Sequence, residues 1–349
     1  MSKSVLKNSV LEIAEHIGFL NFIQKISPGN GQYVYVLAYH RVAEYGTRPW
    51  LAPNLISASP EQFEEQMNFI ADKYNPVSIY DMLDAVYGNT TLPRDAVLIT
   101  VDDGCKDFKE EIFPVCARYG IRPLLFVPTA FAGEGTFWWD KVYQIIQFSG
   151  KNRIETPVGK FSLLTENERS RALEQIASGL KLMPFEKAME WVEAVHAASV
   201  QLTEDQNHNT LTWDELRQLV RDGVTVACHT HTHPILTRIS LEDARCEVLK
   251  SHALIRRELG DTLPVFAFPD GMPHAFSSAL FEMLYSEGFE MLFLLTGGRA
   301  FIKPGNKKMS LPRLSVWQSQ TLSQFHMRLT PLWNLYEAGR RKFGAAFLK

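Results

Sequence analysis

The sequence predicts an α/β fold, a parallel sheet or barrel with helices packed outside it. Short apolar runs alternate along the chain with amphipathic stretches of helical length, the pattern of consecutive strand–helix units. Seven or eight such runs can be counted. The 349 residues exceed what one ordinary core carries, yet α/β barrels reach this size as one domain with insertions.

The chain divides into residues 1–31, 32–325 and 326–349. In 4–26, Leu6, Val10, Ile13, Ile17 and Leu20 recur at helical spacing, which predicts an amphipathic helix. It either covers the barrel's end or lies on a membrane surface. Ser27-Pro28-Gly29-Asn30-Gly31 then breaks the chain. The first strand spans 32–39, with His40 at its exit. Residues 43–58 make a long polar loop fit to border a substrate cleft. Ser59 caps the next helix, Pro60 takes its first position and Gln62 closes a capping box; this helix runs to about Tyr74. Residues 77–80 read as a strand and 80–87 as a helix. Strand 98–101 leads into Asp102-Asp103-Gly104, followed by a helix over 106–119 and a strand over 123–127.

Residues 134–210 interrupt the alternation with a mostly helical insertion, with helices over 137–148, 166–182 and 184–198. Thr212 and Glu215 form another capping box for a helix to about Asp222. Strand 224–228 then delivers a histidine cluster. Ser240 starts a helix to about Leu259. Strands over 264–268, 290–295 and 311–316 complete the count. No internal repeat or low-complexity segment is present.

Two strand exits carry chemistry. Asp102 and Asp103 are adjacent carboxylates where a buried strand leaves the core, and they repel unless a cation or a shared proton separates them. Alone, Asp-Asp-Gly is also a common turn. The second exit reads His229-Thr230-His231-Thr232-His233-Pro234, with three of the ten histidines inside five residues. Histidine is the commonest metal-binding side chain near neutral pH. One carboxylate and two imidazoles fill three positions of a divalent site and leave one open for water, the catalytic arrangement. Spacing leaves the histidine pair open. His229 and His231 share a face if the strand continues, His229 and His233 if a helical turn begins.

Thr100-Val101-Asp102-Asp103-Gly104 resembles the first motif of the polysaccharide deacetylases, the NodB-homology carbohydrate esterases. The histidine stretch resembles their second motif, in the right order. Val36-Leu37-Ala38-Tyr39-His40-Arg41-Val42 is similar to the first strand of many bacterial members. The resemblance covers about 33–135 and 211–317. It implies a distorted, seven-stranded (β/α) TIM-like barrel. It also implies a metal-dependent hydrolase that removes an N-acyl group, acetyl or formyl, from a sugar. Asp102 would be the general base, and Asp103, His229 and His233 would hold the divalent metal. Zinc suits His/Asp ligands, and oxygen-rich sites also take manganese or cobalt.

The sequence departs from the family afterwards. The third motif is often Arg-x-Pro-(Tyr/Phe)-Gly, whose arginine holds the catalytic aspartate. Here it reads Ala267-Phe268-Pro269-Asp270-Gly271. The backbone N–H of Asp270 remains as an oxyanion donor, and Arg313, at the end of the last strand, is the candidate to reach the base instead. The family's final Leu-His motif is not evident. His40 and His274 are the candidates for general acid. Trp138 and Trp139 suit either stacking on sugar faces or anchoring the insertion.

The apolar share of 46% and charged share of 21% are those of a soluble globular protein, and a net charge of −3 gives no reason to expect nucleic acid. Cys105, Cys116, Cys228 and Cys246 lack metal-type spacing and read as buried free thiols in a reducing compartment. No secretion signal and no spanning segment are visible, so the expectation is a cytoplasmic protein. Residues 326–349 carry Arg328, Arg340, Arg341, Lys342 and Lys349 among Leu332, Trp333, Leu335, Tyr336, Phe343 and Phe347. Such a basic aromatic helix either packs on the barrel or makes peripheral membrane contact, which suits a lipid-linked sugar in cell-surface polysaccharide or glycolipid biosynthesis. Two alternatives stay open: a related amidohydrolase acting on a non-polymeric amide or nucleotide sugar, and a carbohydrate-binding homologue that has lost the reaction.

Overall fold

The computed structural model describes residues 18–26, 32–133, 135–201, 203, 206 and 208–333. The central strands are β1 (Tyr33–Tyr39), β2 (Ala96–Val101), β3 (Leu124–Val127), β4 (Thr225–Cys228), β5 (Val265–Ala267), β6 (Met291–Leu294), β7 (Met309–Pro312) and β8 (Leu314–Ser315). β1 through β7 pair in that order, all parallel. β7 and β8 are one stretch of chain interrupted at Arg313. β7 pairs with β6, whereas β8 pairs with β1. The sheet therefore comes round on itself into a nearly closed, seven-position barrel. It is distorted: β4 and β5 share only the pair Phe266 and Cys228.

Period-two alternation sets what fills this barrel. In β1, Val34 and Val36 point inward, and Tyr35, Leu37 and Tyr39 face the outer helices. In β2, Ala96 and Leu98 are inside, and Val97, Ile99 and Val101 outside. The inward row continues through Thr100 to Asp102. In β7, Met309 and Leu311 are inside, and the same row continues to Arg313. Ile79, Met82, Leu83 and Val86 of helix Ile79–Tyr87 join the interior cluster. That helix follows Asn75–Pro76, which pairs at the start of β2, so it plugs the end where the strands begin. The other end, where βα loops gather, is left for chemistry.

Outside, helices Pro60–Lys73, Phe113–Arg118, Trp213–Arg221 and Leu322–Arg328 share one apolar cluster with the barrel wall. Helices Leu241–Leu259 and Ser278–Ser286 cover β4 to β6. The capping boxes at Ser59/Gln62 and Thr212/Glu215 form as the sequence indicates. Between β3 and β4, helices Trp138–Phe148, Glu166–Leu180 and Phe185–Ser199 build a separate core around Ile145, Ile176 and Val192.

Several local expectations need correction. The strand expected at 77–80 lies at Asn75–Pro76, because Ser78 and Asp81 form a capping box that starts the helix at Ile79. The helix expected over 106–119 opens as a π-turn, Phe108–Ile112, before Phe113–Arg118; Pro114 removes a backbone donor there. The polar loop 43–58 contains strand Ile56–Ala58, paired with Arg41–Val42. The insertion includes an antiparallel hairpin, Arg153–Thr156 with Gly159–Ser162, hidden in a polar stretch. Ala300–Phe301 adds antiparallel to β1. Cys246 is exposed, unlike the other three thiols.

Of the expected N-terminal helix only Phe19–Ile26 falls within the described residues. The C-terminal stretch from 334 on lies outside them, so most of the expected basic helix does too. Arg328, counted above among its charges, is buried between the rings of Trp317 and Trp333, at 4.1 and 5.1 Å. Among the described residues no helix is long and apolar enough to cross a membrane.

Candidate active site

Asp102 sits at the mouth of the barrel because it continues the inward row of β2, and its backbone N–H donates to Tyr39 O at 2.9 Å. Asp103 turns the chain with φ of 75°. Non-glycine residues with positive φ cluster at this mouth: Asp103, Thr230, His233 and Asp270, with Asp95 the one described elsewhere. Such backbone costs of order 1–3 kcal/mol per residue and persists where the surroundings impose it.

Here the surroundings are visible. The loop after β4 is held by Glu247, whose carboxylate accepts the backbone N–H of His231 and Thr232 at 2.9 and 2.7 Å and the Thr232 hydroxyl at 2.8 Å. Thr230 Oγ1 accepts the His233 N–H at 3.1 Å. These bonds turn His233 back toward His229. His231 faces away, with Nδ1 3.0 Å from Thr129 Oγ1. The structure thus groups His229 with His233, and one ligand atom from each lies within 4.8 Å of one from Asp103. His229 Nε2 is 3.7 Å and His233 Nε2 3.3 Å from Asp103 Oδ1, and the two imidazole nitrogens are 3.2 Å apart.

This donor set fits a divalent cation. His229 Nδ1 donates to Ala267 O at 2.7 Å, which fixes the tautomer and leaves Nε2 as a bare lone pair, the usual outer-shell arrangement of a metal-binding imidazole. Burial, above all, pushes the His229 imidazolium down to about 4, so the ring is neutral and able to ligate at pH 7. Asp103 Oδ1 is buried and accepts no hydrogen bond. Burial raises its carboxyl, but His233, His40 and His229 outweigh that and hold it well below the usual carboxylate range. An ionised oxygen and two imidazole nitrogens converging on one point form a donor set for a cation.

Asp102 is oriented from the opposite side. Arg313 is fully buried and forks onto it, Nη1 to Oδ1 at 2.7 Å and Nη2 to Oδ2 at 2.8 Å. Nη1 also donates to Thr100 Oγ1 at 3.1 Å. Burial would raise the Asp102 carboxyl; Arg313 overrides it, and the net direction is down. The expected contact of Arg313 with this carboxylate is thus made from the junction of β7 and β8, two strands from β2 in the sheet and 211 residues along the chain. His40 Nε2 lies 4.0 Å from Asp102 Oδ2.

Asp270 follows β5 with φ of 64°, and among the described residues no acceptor pairs with its backbone N–H. Gly271 is required beside it: φ is 62°, and a Cβ there would come within 2.9 Å of Leu295 N. The Asp270 carboxylate is 3.1 Å from Lys181 Nζ and 3.3 Å from His274 Nε2. His274 is not among the residues lining the cavity over the site. That cavity, of about 230 Å³, is lined by His40, Asp102, Asp103, His229, His233 and Asp270, and by Trp138 and Trp139 of the insertion. Trp138 also packs into the insertion's own core, so it serves as wall and anchor at once. Trp139 packs edge-on to His233 with ring centres 4.9 Å apart.

Sequence reasoning missed Glu247, Lys181 and Asp140. Asp140 is buried, accepts the Ala52 N–H at 2.7 Å and so fixes the loop that brings Asn54 and Leu55 to the cavity. Its signal was faint: one acid in the first turn of a helix that also carries Lys141, Gln144 and Gln147, beside the tryptophan pair. Glu247, on a helix with as many basic as acidic residues, carried no signal at all.

The sequence model of the polysaccharide deacetylase family matches residues 186–292, which include both clustered histidines but not the acidic pair. A curated relative, poly-beta-1,6-N-acetyl-D-glucosamine N-deacetylase of Escherichia coli (strain K12), is 22% identical over 284 residues. The match covers 78% of this chain but only 36% of the relative, so this chain spans little more than a third of it. Among solved structures, the Streptococcus pyogenes deacetylase PplD superposes with a TM-score of 0.57 at 17% identity, over 86% of this chain and 99% of that one. IcaB from Ammonifex degensii gives 0.54 at 18% identity, over 85% and 97%. At these identities the likeness shows a shared barrel.

Proposed function

We propose that this chain, which matches the polysaccharide deacetylase model over residues 186–292 and shares the barrel of solved deacetylases, hydrolyses an N-acyl group, acetyl or formyl, from an amino sugar of a cell-surface polysaccharide or glycolipid. The observation that carries the reading is the convergence of Asp103, His229 and His233 beside the Arg313-held carboxylate of Asp102 in one cavity. Zinc is the cation this donor set favours, with manganese and cobalt as alternatives. When bound, the cation supplies a Lewis acid for the amide carbonyl and lowers the pKa of the attacking water.

The chain's residues then divide the proton work. Asp102, kept ionised and fixed in direction by Arg313, takes the proton as water oxygen bonds to the carbonyl carbon. The N–H of Asp270, unpaired among the described residues, is the donor for the oxygen where negative charge grows. His40, beside Asp102 in the cavity, delivers a proton to the nitrogen as the C–N bond breaks, leaving a carboxylic acid and an amino sugar. The absence of the motif arginine favoured a protein that only binds sugar. Arg313 on Asp102 removes that argument.

N-acetylglucosamine is the sugar to try first, because the curated relative's name specifies it. The basic aromatic stretch after residue 326 supports a lipid-linked form met at the cytoplasmic face of a membrane. Vesicle co-sedimentation with and without residues 334–349 tests that part; equal binding refutes it. The hydrolytic reading is tested by metal analysis of wild type, Asp103→Ala, His233→Ala and Asp102→Asn, with amine release from N-acetyl and N-formyl sugars. About one divalent ion per chain is expected in wild type and Asp102→Asn, and none in the other two. Turnover is expected only in wild type. Full turnover by Asp102→Asn would overturn the assignment of the base.

A further inference from the structure

The insertion does more than cover the barrel mouth. Along helix Glu166–Leu180 and its cap, Glu174, Ala177, Ser178 and Lys181 line the cavity. Their spacing of three, four and seven is one helical face, and the residues that bury into the insertion's core, Ala172, Ile176 and Leu180, lie on another. The end of this helix is tied to the barrel twice. Lys181 Nζ pairs with Asp270, and Lys181 O accepts Arg238 Nε at 3.1 Å. The wall is thus held over the site by two separate barrel loops.

On this wall Lys181 is neutralised by Asp270, and Ala177 is small enough to leave room. Glu174 is different. Among the described residues no donor pairs with its carboxylate, although it lines the same cavity as the metal ligands. A free carboxylate is an acceptor-only group with two oxygens, suited to neighbouring hydroxyls on one ring edge. The adjoining wall offers Trp138 and Trp139, apolar surface for the C–H face of the same ring.

We propose that the insertion supplies a saccharide-recognition wall, in which Glu174 accepts hydrogen bonds from hydroxyls of the sugar residue being deacylated. This rests on the hydrolytic reading above and adds to it a specificity residue outside the barrel. The wall selects a polyhydroxylated ring over any other N-acyl amine, whereas the barrel residues act only on the amide.

The experiment compares the metal-loaded full chain and its Glu174→Ala and Glu174→Gln variants. Substrates are an N-acetylglucosamine saccharide, its single-deoxy analogues and a non-sugar N-aryl acetamide. Saccharide binding is titrated in parallel by calorimetry. Glu174 is exposed, so unfolding is not expected, and thermal melting checks this. For Glu174→Ala the saccharide KM should rise about tenfold more than that of the acetamide, with kcat held within about twofold; Glu174→Gln should lie between. At least one deoxy analogue should cost wild type about tenfold and cost Glu174→Ala nothing further. Equal losses on both substrates, or the same penalty for every deoxy analogue in both proteins, overturn the wall. Saccharide binding that depends on Glu174 without hydrolysis would sink the hydrolytic reading and leave the wall standing. Hydrolysis indifferent to Glu174 does the reverse.

Discussion

Replacing Arg313 with methionine keeps an unbranched apolar stem and deletes the guanidinium. The structure sets what is lost: two charged hydrogen bonds to Asp102 and one to Thr100, all in a fully buried place. Asp102 is left buried with its nearest cation gone. Breaking one partner of a buried ion pair costs about 3–5 kcal/mol, more than the pair's net worth, because the orphaned charge cannot reach water. Against a total stability of about 5–15 kcal/mol, that is a large fraction. Burial then acts on Asp102 without Arg313 to oppose it, so the acid limb of kcat/KM should move to higher pH as the base becomes harder to ionise. The assay is equilibrium urea denaturation of wild type, Arg313→Met, Asp102→Asn and the double variant. Each single should be costly and the double far less than their sum, a coupling of about 2 kcal/mol or more. A loss under about 1 kcal/mol for Arg313→Met, or simple additivity, would refute the claim that the fork holds the base.

Two further outcomes follow from the same geometry. Burial pushes the Asp140 carboxyl up to about 7. Between its ordinary value near 3.8 and about 7 the unfolded chain has released a proton that the folded chain keeps, so stability falls as pH rises through that window and is level above it. Asp140→Asn, which can still accept the Ala52 N–H, should match wild type near pH 4 and exceed it by up to about 4 kcal/mol at pH 8; a variant less stable than wild type at pH 8 would mean the carboxylate is ionised and paired. Glu247→Ala should weaken metal binding about 10- to 100-fold without touching a ligand, because it frees the two amides that shape the histidine loop; competition with a chelator measures it, and unchanged affinity would show the loop is held otherwise.

Much of this architecture was legible because it is periodic or capped. The alternation of apolar runs marked the strand–helix units of a parallel sheet or barrel. Ser59 with Gln62 and Thr212 with Glu215 marked helix starts by side-chain chemistry that works locally. Failures came where local signals compete. Val77 to Tyr80 has strand propensity, but Ser78 and Asp81 satisfy the first amides of a helix, and the cap wins. The hairpin at 153–162 lacks a continuous apolar face and forms against the insertion's core. At the site, the row Ala96, Leu98, Thr100, Asp102 and the row Met309, Leu311, Arg313 already placed an acid and an arginine inside one barrel. Their pairing depends on where the last strand closes, which no local pattern encodes. Glu247 was out of reach for the same reason: its partners are backbone amides 15 and 16 residues earlier.

The switch of pairing at Arg313 also ties closure of the barrel to the C-terminal part of the chain. During synthesis Asp102 leaves the ribosome long before Arg313, so a chain that ends short of β7 lacks the guanidinium that forks onto this carboxylate. Loop closure across 211 residues is slow beside the local strand–helix units. The pairings of β7 with β6, of β8 with β1, and of the guanidinium with Asp102 all depend on the one stretch from Met309 to Ser315. The stitch that closes the barrel wall is therefore also the one that supplies the counter-ion of Asp102.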